Sequence, residues 1–453
     1  MAETENDRWP DDSPAIVGHV TGIEYNVPRR SELAFPRDDI LQRVEKVLLQ
    51  SDPWQDPTSI SDRIRAFALC GGSGMGKSAS ALQFVHKHRH RYENVFWVSA
   101  ENTNKLFSAY TQIAFKLGIA EDSKPYDRFE CQKKVRDWFM FGSLQNDKVV
   151  LVPWLLVFDN LDRPEDLDGF WPNRGGGDIL VTTQCSLPTL NSFCGQFGIE
   201  VLPFGKDVAL SFLTSLTPEQ IKDPVKLAQA TEVAEILGGS PLALLSLSSL
   251  IKQHKLDPEL VRRVTKRRES SDSGRSRPDL SGESLRQLAI IVEPLLERLT
   301  ISTSLMDIIC LLDSDGTQDW ILLESAEASS LDGCPTDHDA YNLAKQELLE
   351  SALISTVRTN DDDGVAAHRM IREVVRQRMS PSRFQAVFEA CVQMLWHLWP
   401  RMTMADRHNK RRWGTHDILM RHVRSLLEVS PIELELPFRL SILFARLLNN
   451  AAW

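Results

Sequence analysis

The chain has 453 residues, 42% hydrophobic and 25% charged, a mix that suits ordinary globular domains; its length leaves room for about three of them. A formal charge of −10, from 62 acidic against 52 basic side chains, gives no general electrostatic footprint for nucleic acid. Seven cysteines (70, 131, 185, 194, 310, 334 and 391) are scattered without a CxxC pair. That argues against a disulfide framework or zinc site, and it suits a reducing compartment, so a cytoplasmic protein is expected.

Residues 1–32 read as an N-terminal extension. Its start, MAETENDRWPDD, is acidic and polar, unlike a secretory signal. The longest apolar stretch, Val149–Phe158, is interrupted by Pro153 and falls well short of the ~20 residues that span a bilayer. No membrane association is expected.

Residues 33–204 read as a P-loop nucleotide-binding domain. From Ile64 to Val201 short β-like runs alternate with helical patterns. The predicted strands are Ile64–Leu69, Val95–Ser99, Leu155–Asp159, Ile179–Thr183 and Ile199–Leu202, with helices over 78–90, 104–117 and 129–140. Such alternation implies parallel pairing in a doubly wound α/β sheet, which binds ligands at the carboxyl ends of its strands.

Residues 205–268 carry apolar residues at helical spacing through Val208–Leu216, Val225–Leu237 and Leu242–Ile251, which predicts a small helical domain. The polar stretch Glu269–Pro278 places a linker over 269–283. Within 284–380, helices over 284–298 and 300–312 precede a helix–strand–turn–strand–helix pattern across Leu343–Met379. Its turn is Asn360-Asp361-Asp362-Asp363-Gly364, an Asp-Gly hairpin signal, and the outline is that of a winged helix. The segment 381–453 is helical and rich in tryptophan.

The sharpest motif is Gly71-Gly72-Ser73-Gly74-Met75-Gly76-Lys77-Ser78, which fits GxxxxGK[ST] at every fixed position. It follows an apolar run and precedes a helical pattern, the context the motif requires. Glycines let the backbone wrap phosphates with its N–H groups inward, and the helix start, through Ala79, adds partial positive charge. Lys77 is expected to reach the β- and γ-phosphates and Ser78 to ligate Mg²⁺. The second half of such a site is an acid at a strand end. Trp154-Leu155-Leu156-Val157-Phe158-Asp159 supplies it, with Asp159 holding the metal. The next residue is Asn160, which orients a water but is no base at neutral pH. Asp162 is the remaining candidate to reach that water, and fast turnover is not expected.

The ordered segments LLVFDNLD, GDILVTTQ, GGSPLALL and AAHRMIREVV, after the phosphate loop, resemble the NB-ARC domain of STAND-class signalling proteins, most of all its fungal branch. The resemblance covers roughly 33–380. It implies an ADP/ATP-binding switch with Mg²⁺, in which ADP holds a closed form and ATP permits opening and self-oligomerisation. By the same resemblance Phe35-Pro36-Arg37-Asp38 matches the family's opening motif, with Arg37 near the nucleotide and Pro36 in place of the usual Gly. The sensor strand ends in Gln184 where the family carries Arg. Pro241, in Gly239-Ser240-Pro241-Leu242-Ala243, corresponds to the proline that lies against adenine; read from the residues alone, it is also a good helix start with Pro at N1. His368 corresponds to the histidine that contacts the ADP β-phosphate, although Ala367 and Arg369 replace its Met and Asp neighbours. A His at a strand-to-helix junction is also simply a capping or surface residue.

The segment 381–453 resembles the opening of a tetratricopeptide array, which would offer a surface for protein partners. His86, His88 and His90 read as a solvated basic face, because only 86 and 90 share a side of a helix. The candidate recognition segment Ala340–Glu350 carries Glu347 and Glu350 against Lys345, so DNA binding is not expected. Two rivals to the switch are a continuously hydrolysing P-loop ATPase and a degenerate scaffold that exchanges no nucleotide.

Overall fold

The structure is a computed structural model that describes residues 22–29, 35–49, 64–120, 127–145, 148–150, 152–219, 224–254, 283–325, 328–359, 362–400, 410–429 and 442–451. The predicted linker 269–283 lies outside them except for its last residue, as does most of the N-terminal extension. The chain divides into two compact units, one holding residues up to Gly71 and Lys77–Val201, the other Gly72–Gly76 and Leu202 onward.

The first unit runs β1 (Glu24–Tyr25), α1 (Asp38–Leu48), β2 (Arg65–Cys70), α2 (Lys77–His88), β3 (Asn94–Ser99), α3 (Thr103–Lys116), α4 (Arg128–Phe141), β4 (Ser143–Gln145), β5 (Lys148–Val150), β6 (Trp154–Leu161), β7 (Asp178–Thr183), α5 (Asn191–Cys194) and β8 (Gly198–Glu200). Six strands form one sheet in the order β1-β3-β6-β7-β2-β8, and every pairing in it is parallel. This is the α/β P-loop architecture expected. β7 is buried at every residue and β2 at all but its first. Strands covered on both faces read as continuous apolar runs, which is why they were visible in the sequence.

Helices cover the sheet because their apolar residues share one face. In α1 these are Ile40, Leu41, Val44 and Leu48. α3 begins where the Asn102 side chain accepts the Lys105 amide at 3.0 Å, and α4 where Asp127 accepts that of Phe129 at 2.9 Å; both satisfy otherwise orphaned helix donors. Phe96, Tyr110, Phe139, Trp154 and Phe170 meet beneath them, largely edge to face. At the amino end of the sheet, Asp178 accepts Arg65 Nε at 2.6 Å and the Tyr92 hydroxyl at 2.7 Å. Burial pushes the Asp178 carboxyl up to about 6 despite those partners.

The second unit contains α6 (Lys206–Leu216), α7 (Pro224–Ile236), α8 (Pro241–His254), α9 (Glu283–Arg298), α10 (Thr303–Leu311), β9 (Thr317–Gln318), α11 (Asp319–Glu324), α12 (His338–Glu350), β10 (Ser355–Thr359), β11 (Asp362–Ala366), α13 (Arg369–Arg378), α14 (Pro381–Leu398), α15 (Lys410–Glu428) and α16 (Ile442–Ala451). β10, β11 and β9 make a small antiparallel sheet. Arg372 of α13 is buried and donates to the carbonyls of Ile309 (3.1 Å), Asp313 (3.0 Å) and Leu312, closing the carboxyl end of α10. Ser425 and His422 of α15 bond the same turn, at Leu312 O (2.8 Å) and Asp313 N (3.1 Å). Arg383 of α14 meets Asp307 of α10 at 2.8 Å.

Two local readings shift. The hairpin signal is displaced: β11 already starts at Asp362, Thr359 pairs with it, and 360–361 lie outside the described residues. Gly364 is therefore a strand residue. A Cβ there would stand 2.5 Å from Thr317 O, so its role is to let β9 approach. The β4–β5 hairpin and the edge strand β1 were not anticipated.

Candidate functional site

The phosphate loop leaves the carboxyl end of β2 and enters α2, at the sheet edge where parallel α/β folds bind ligands. Lys77 is almost wholly buried, 7% exposed, and its Nζ donates to Gly71 O at 2.8 Å across the base of the loop. Gly71 and Lys77 group with the sheet, Gly72–Gly76 with the helical unit.

β7 separates β2 from β6, yet Ser78 of α2 meets Asp159 of β6 directly. The Ser78 hydroxyl donates to Asp159 Oδ1 at 2.6 Å. The Thr182 hydroxyl of β7 donates to that same oxygen at 2.5 Å. Thr182 in turn accepts the Asn160 amide at 2.9 Å. This closes a ring between β6 and β7 where the strand register breaks, between Phe158 and Leu161. Asn160 sits at φ 60°, in the left-handed region that Asn tolerates better than most residues. Burial pushes the Asp159 carboxyl up; the Ser78 and Thr182 hydroxyls, the Lys77 charge and the Asn160 amide pull against it.

A hydroxyl and a carboxylate side by side are hard oxygen donors. They fit Mg²⁺, which takes one or two protein ligands and completes its shell with water and substrate phosphates. Among the described residues no group of three or more His, Cys, Asp or Glu could hold a metal alone. His88 Nε2 lies 2.8 Å from Glu45, and His86 Nε2 lies 3.0 Å from Pro28 O.

Asp162 lies just past β6, exposed, and its carbonyl accepts the Cys185 thiol at 3.1 Å. Gln184 is exposed at the end of β7. Arg37 is half-buried, paired with Asp39 at 3.3 Å; Phe35 O accepts Gln83 Nε2 of α2 at 2.8 Å. Cys70 ends β2, and burial pushes its thiol up to about 11, which makes it a packing group rather than a nucleophile.

In the second unit the loop tip meets α8 and α13. The Leu242 amide, in the first turn of α8 behind Pro241, donates to Gly74 O at 3.3 Å. Gly74 has φ +76°, and a Cβ there would stand 3.1 Å from Leu242 Cβ and 3.3 Å from Met370 Sδ. His368 is exposed and caps α13, its Nδ1 accepting the Met370 amide at 3.2 Å. Its neighbour Arg369 reaches the loop, with Nε donating to Ser73 Oγ at 3.3 Å.

Of the expected site residues, Ser78 and Asp159 are in contact, and the hydroxyl of Thr182, which no motif marks, joins them. The signal for Thr182 was a threonine closing a buried strand.

A family model described as Domain of unknown function (DUF7779) matches residues 296–384, from the end of α9 into α14. No curated protein matches the chain. Among solved structures the chain is similar to a signal transduction ATPase with numerous domains (STAND) with a tetratricopeptide repeat sensor, from Pyrococcus horikoshii. Identity is 13%, with 95% of this chain and 55% of that one covered at a TM-score of 0.47. The chain thus spans about half the length of that protein, 55%. It is similar also to Cdc6p from Pyrobaculum aerophilum, at 13% identity, 78% and 97% coverage and a TM-score of 0.32. A Walker-type ATPase of Pyrococcus abyssi gives 12% identity, 78% and 99% coverage and a TM-score of 0.33. Among the described residues no helix is long and apolar enough to cross a membrane.

Proposed function

We propose that the chain is an adenine-nucleotide-binding switch of the NB-ARC, STAND-class kind, acting in the cytoplasm. The observation that carries this reading is the coupling of the two halves of the phosphate site, where the Ser78 hydroxyl meets the Asp159 carboxylate at 2.6 Å beneath a glycine loop closed by Lys77. Backbone N–H groups of Gly72–Gly76 cradle the phosphate chain, and Lys77 supplies a fixed cation at its β/γ end. Mg²⁺, held with Ser78 and Asp159, neutralises phosphate charge when bound.

Asn160 follows the metal carboxylate and has no basic group to take a proton from water, which favours slow hydrolysis over continuous work. A slow site suits a switch, because each nucleotide state persists long enough to be read. The resemblance assigns Pro241 to adenine and His368 to the β-phosphate of ADP in a closed form, with ATP permitting opening and self-association. A nucleotide shifts such an equilibrium only by binding the two forms with different affinity. On this reading Leu343–Met379 belongs to a winged helix, and the C-terminal helices offer a surface for protein partners.

The test is the nucleotide carried by purified protein, released by denaturation and identified by chromatography. Near-stoichiometric ADP is expected. Protein that carries none, and takes up none on incubation with ADP or ATP, would overturn the proposal in favour of a scaffold.

A further inference from the structure

We propose that Thr182 is a positioning residue for Mg²⁺, one that holds Asp159 so that the Ser78 hydroxyl presents its lone pairs to the ion. The inference rests on the nucleotide reading above and adds to it a residue that acts through Asp159. Ser78, Asp159, Asn160 and Thr182 all lie in the first unit.

The strand register carries the first part of the argument. β6 and β7 pair Phe158 with Val181 and, past the break, Leu161 with Thr183. Asp159 and Asn160 therefore stand opposite Thr182 alone, the two-against-one count of a β-bulge. Bulges are rare between parallel strands; they re-aim side chains beside functional sites and take a backbone group off the ladder. Here that group is the Asn160 amide. At a φ of 60° it donates to the Thr182 hydroxyl oxygen at 2.9 Å, which meets the need of an off-ladder amide for an acceptor.

The second part is the direction in which the hydrogen bonds run. A backbone amide only donates, so Thr182 accepts from Asn160 and turns its single proton to Asp159 Oδ1, at 2.5 Å. An ionised carboxylate only accepts, so the Ser78 hydroxyl, at 2.6 Å, points its proton at the same oxygen. The lone pairs of Ser78 are thereby left for a cation, an orientation that a freely rotating serine would not hold. Thr182 is wholly buried on an interior strand, which makes its hydroxyl a rigid support for the carboxylate. Valine has nearly the same shape, so in a strand buried at every residue what the threonine adds is the hydroxyl. Partners behind a metal ligand fix its orientation and so tune the affinity for the ion.

The role is tested with Thr182→Val and Thr182→Ala, which remove the hydroxyl, and Thr182→Ser, which keeps it, beside wild type on the full chain. Thermal unfolding sets a temperature at which each variant is folded. Calorimetry gives the affinity for ADP and ATP without divalent metal. Mn²⁺, in place of Mg²⁺, is then titrated into nucleotide-saturated protein, and the free ion is followed by electron paramagnetic resonance. Loss of a partner behind a metal ligand predicts Mn²⁺ binding weaker by about tenfold to a hundredfold in Thr182→Val and Thr182→Ala. Their metal-free nucleotide affinities should match wild type, and Thr182→Ser should recover the affinity for Mn²⁺. Mn²⁺ affinity unchanged in the two hydroxyl deletions would overturn the assignment. So would equal losses with and without metal, which mean damage to packing alone, or a Thr182→Ser that stays as weak as Thr182→Val. Wild-type protein that binds neither nucleotide defeats the underlying reading instead.

Discussion

Thr182 donates to Asp159 Oδ1 at 2.5 Å, the same oxygen that receives Ser78, and so sets the rotamer of the carboxylate from a neighbouring strand. Thr182 is fully buried. Thr182→Val keeps the shape but leaves the Asn160 amide and the carboxylate short of a partner. A loss of about 1–3 kcal/mol in stability is expected, because the unmatched groups are buried and one is charged. Thr182→Ser, which keeps the hydroxyl, should stay near wild type. Chemical denaturation of both variants checks this; a loss in Thr182→Ser with none in Thr182→Val would mean that the methyl, not the hydroxyl, matters.

Asp159→Ala is expected to weaken ATP binding with Mg²⁺ more than ADP binding without it, since the carboxylate is assigned to the ion. Titrations of each nucleotide with and without Mg²⁺ give the answer. A uniform loss under all four conditions would point to general damage of the sheet edge.

On the proposed reading Asn160 stands where a carboxylate would act on water. Asp shares its tolerance of the left-handed backbone found there, φ 60°. Asn160→Asp should therefore fold normally and raise ATP turnover by about tenfold or more, at the low end of general-base effects. A turnover no faster than wild type would remove this position from the chemistry.

The loop glycines differ in what surrounds them. A Cβ at Gly74 would press on Leu242 and Met370, whereas one at Gly76 would meet nothing within 4 Å. Both have positive φ, so each alanine costs about 1–2 kcal/mol in backbone strain. Gly74→Ala should cost more than Gly76→Ala, by the additional crowding. Urea midpoints that rank them the other way would contradict the described packing of the loop tip.

Asp178 provides a pH signature. Its carboxyl titrates near 6 in the folded chain against an ordinary value of 3.8, because burial outweighs Arg65 and Tyr92. Between those values the folded state holds the proton more tightly than the unfolded one. Its contribution to stability is therefore full at the acidic end and is lost as pH rises through 6. Asp178→Asn should flatten that part of the stability profile. A profile unchanged in slope across the window would assign the buried carboxyl an ordinary titration.

Much of this was legible in the sequence, for physical reasons. β2, β6 and β7 are buried on both faces, so RAFALC, WLLVFDNL and DILVTT stand out as apolar runs. The loop needs glycine and lysine at fixed spacing, so chemistry wrote its own signature. What escaped was short or tertiary. β1 and β9 have two residues each, too few for a period of two to show. Gly364 read as a turn because its partner, Thr317 O, is distant in sequence. Thr182 and Arg369 carry no motif of their own, and only packing brings them to Asp159 and Ser73.

The claim that nucleotide state sets conformation is tested most directly by small-angle scattering on one preparation, loaded first with ADP and then with ATP and Mg²⁺. Occupancy would be confirmed by chromatography in each case. The account predicts a measurable rise in radius of gyration or in apparent mass with ATP. Superimposable profiles with both nucleotides fully bound would contradict the switch and leave a nucleotide-binding protein that does not respond to what it holds.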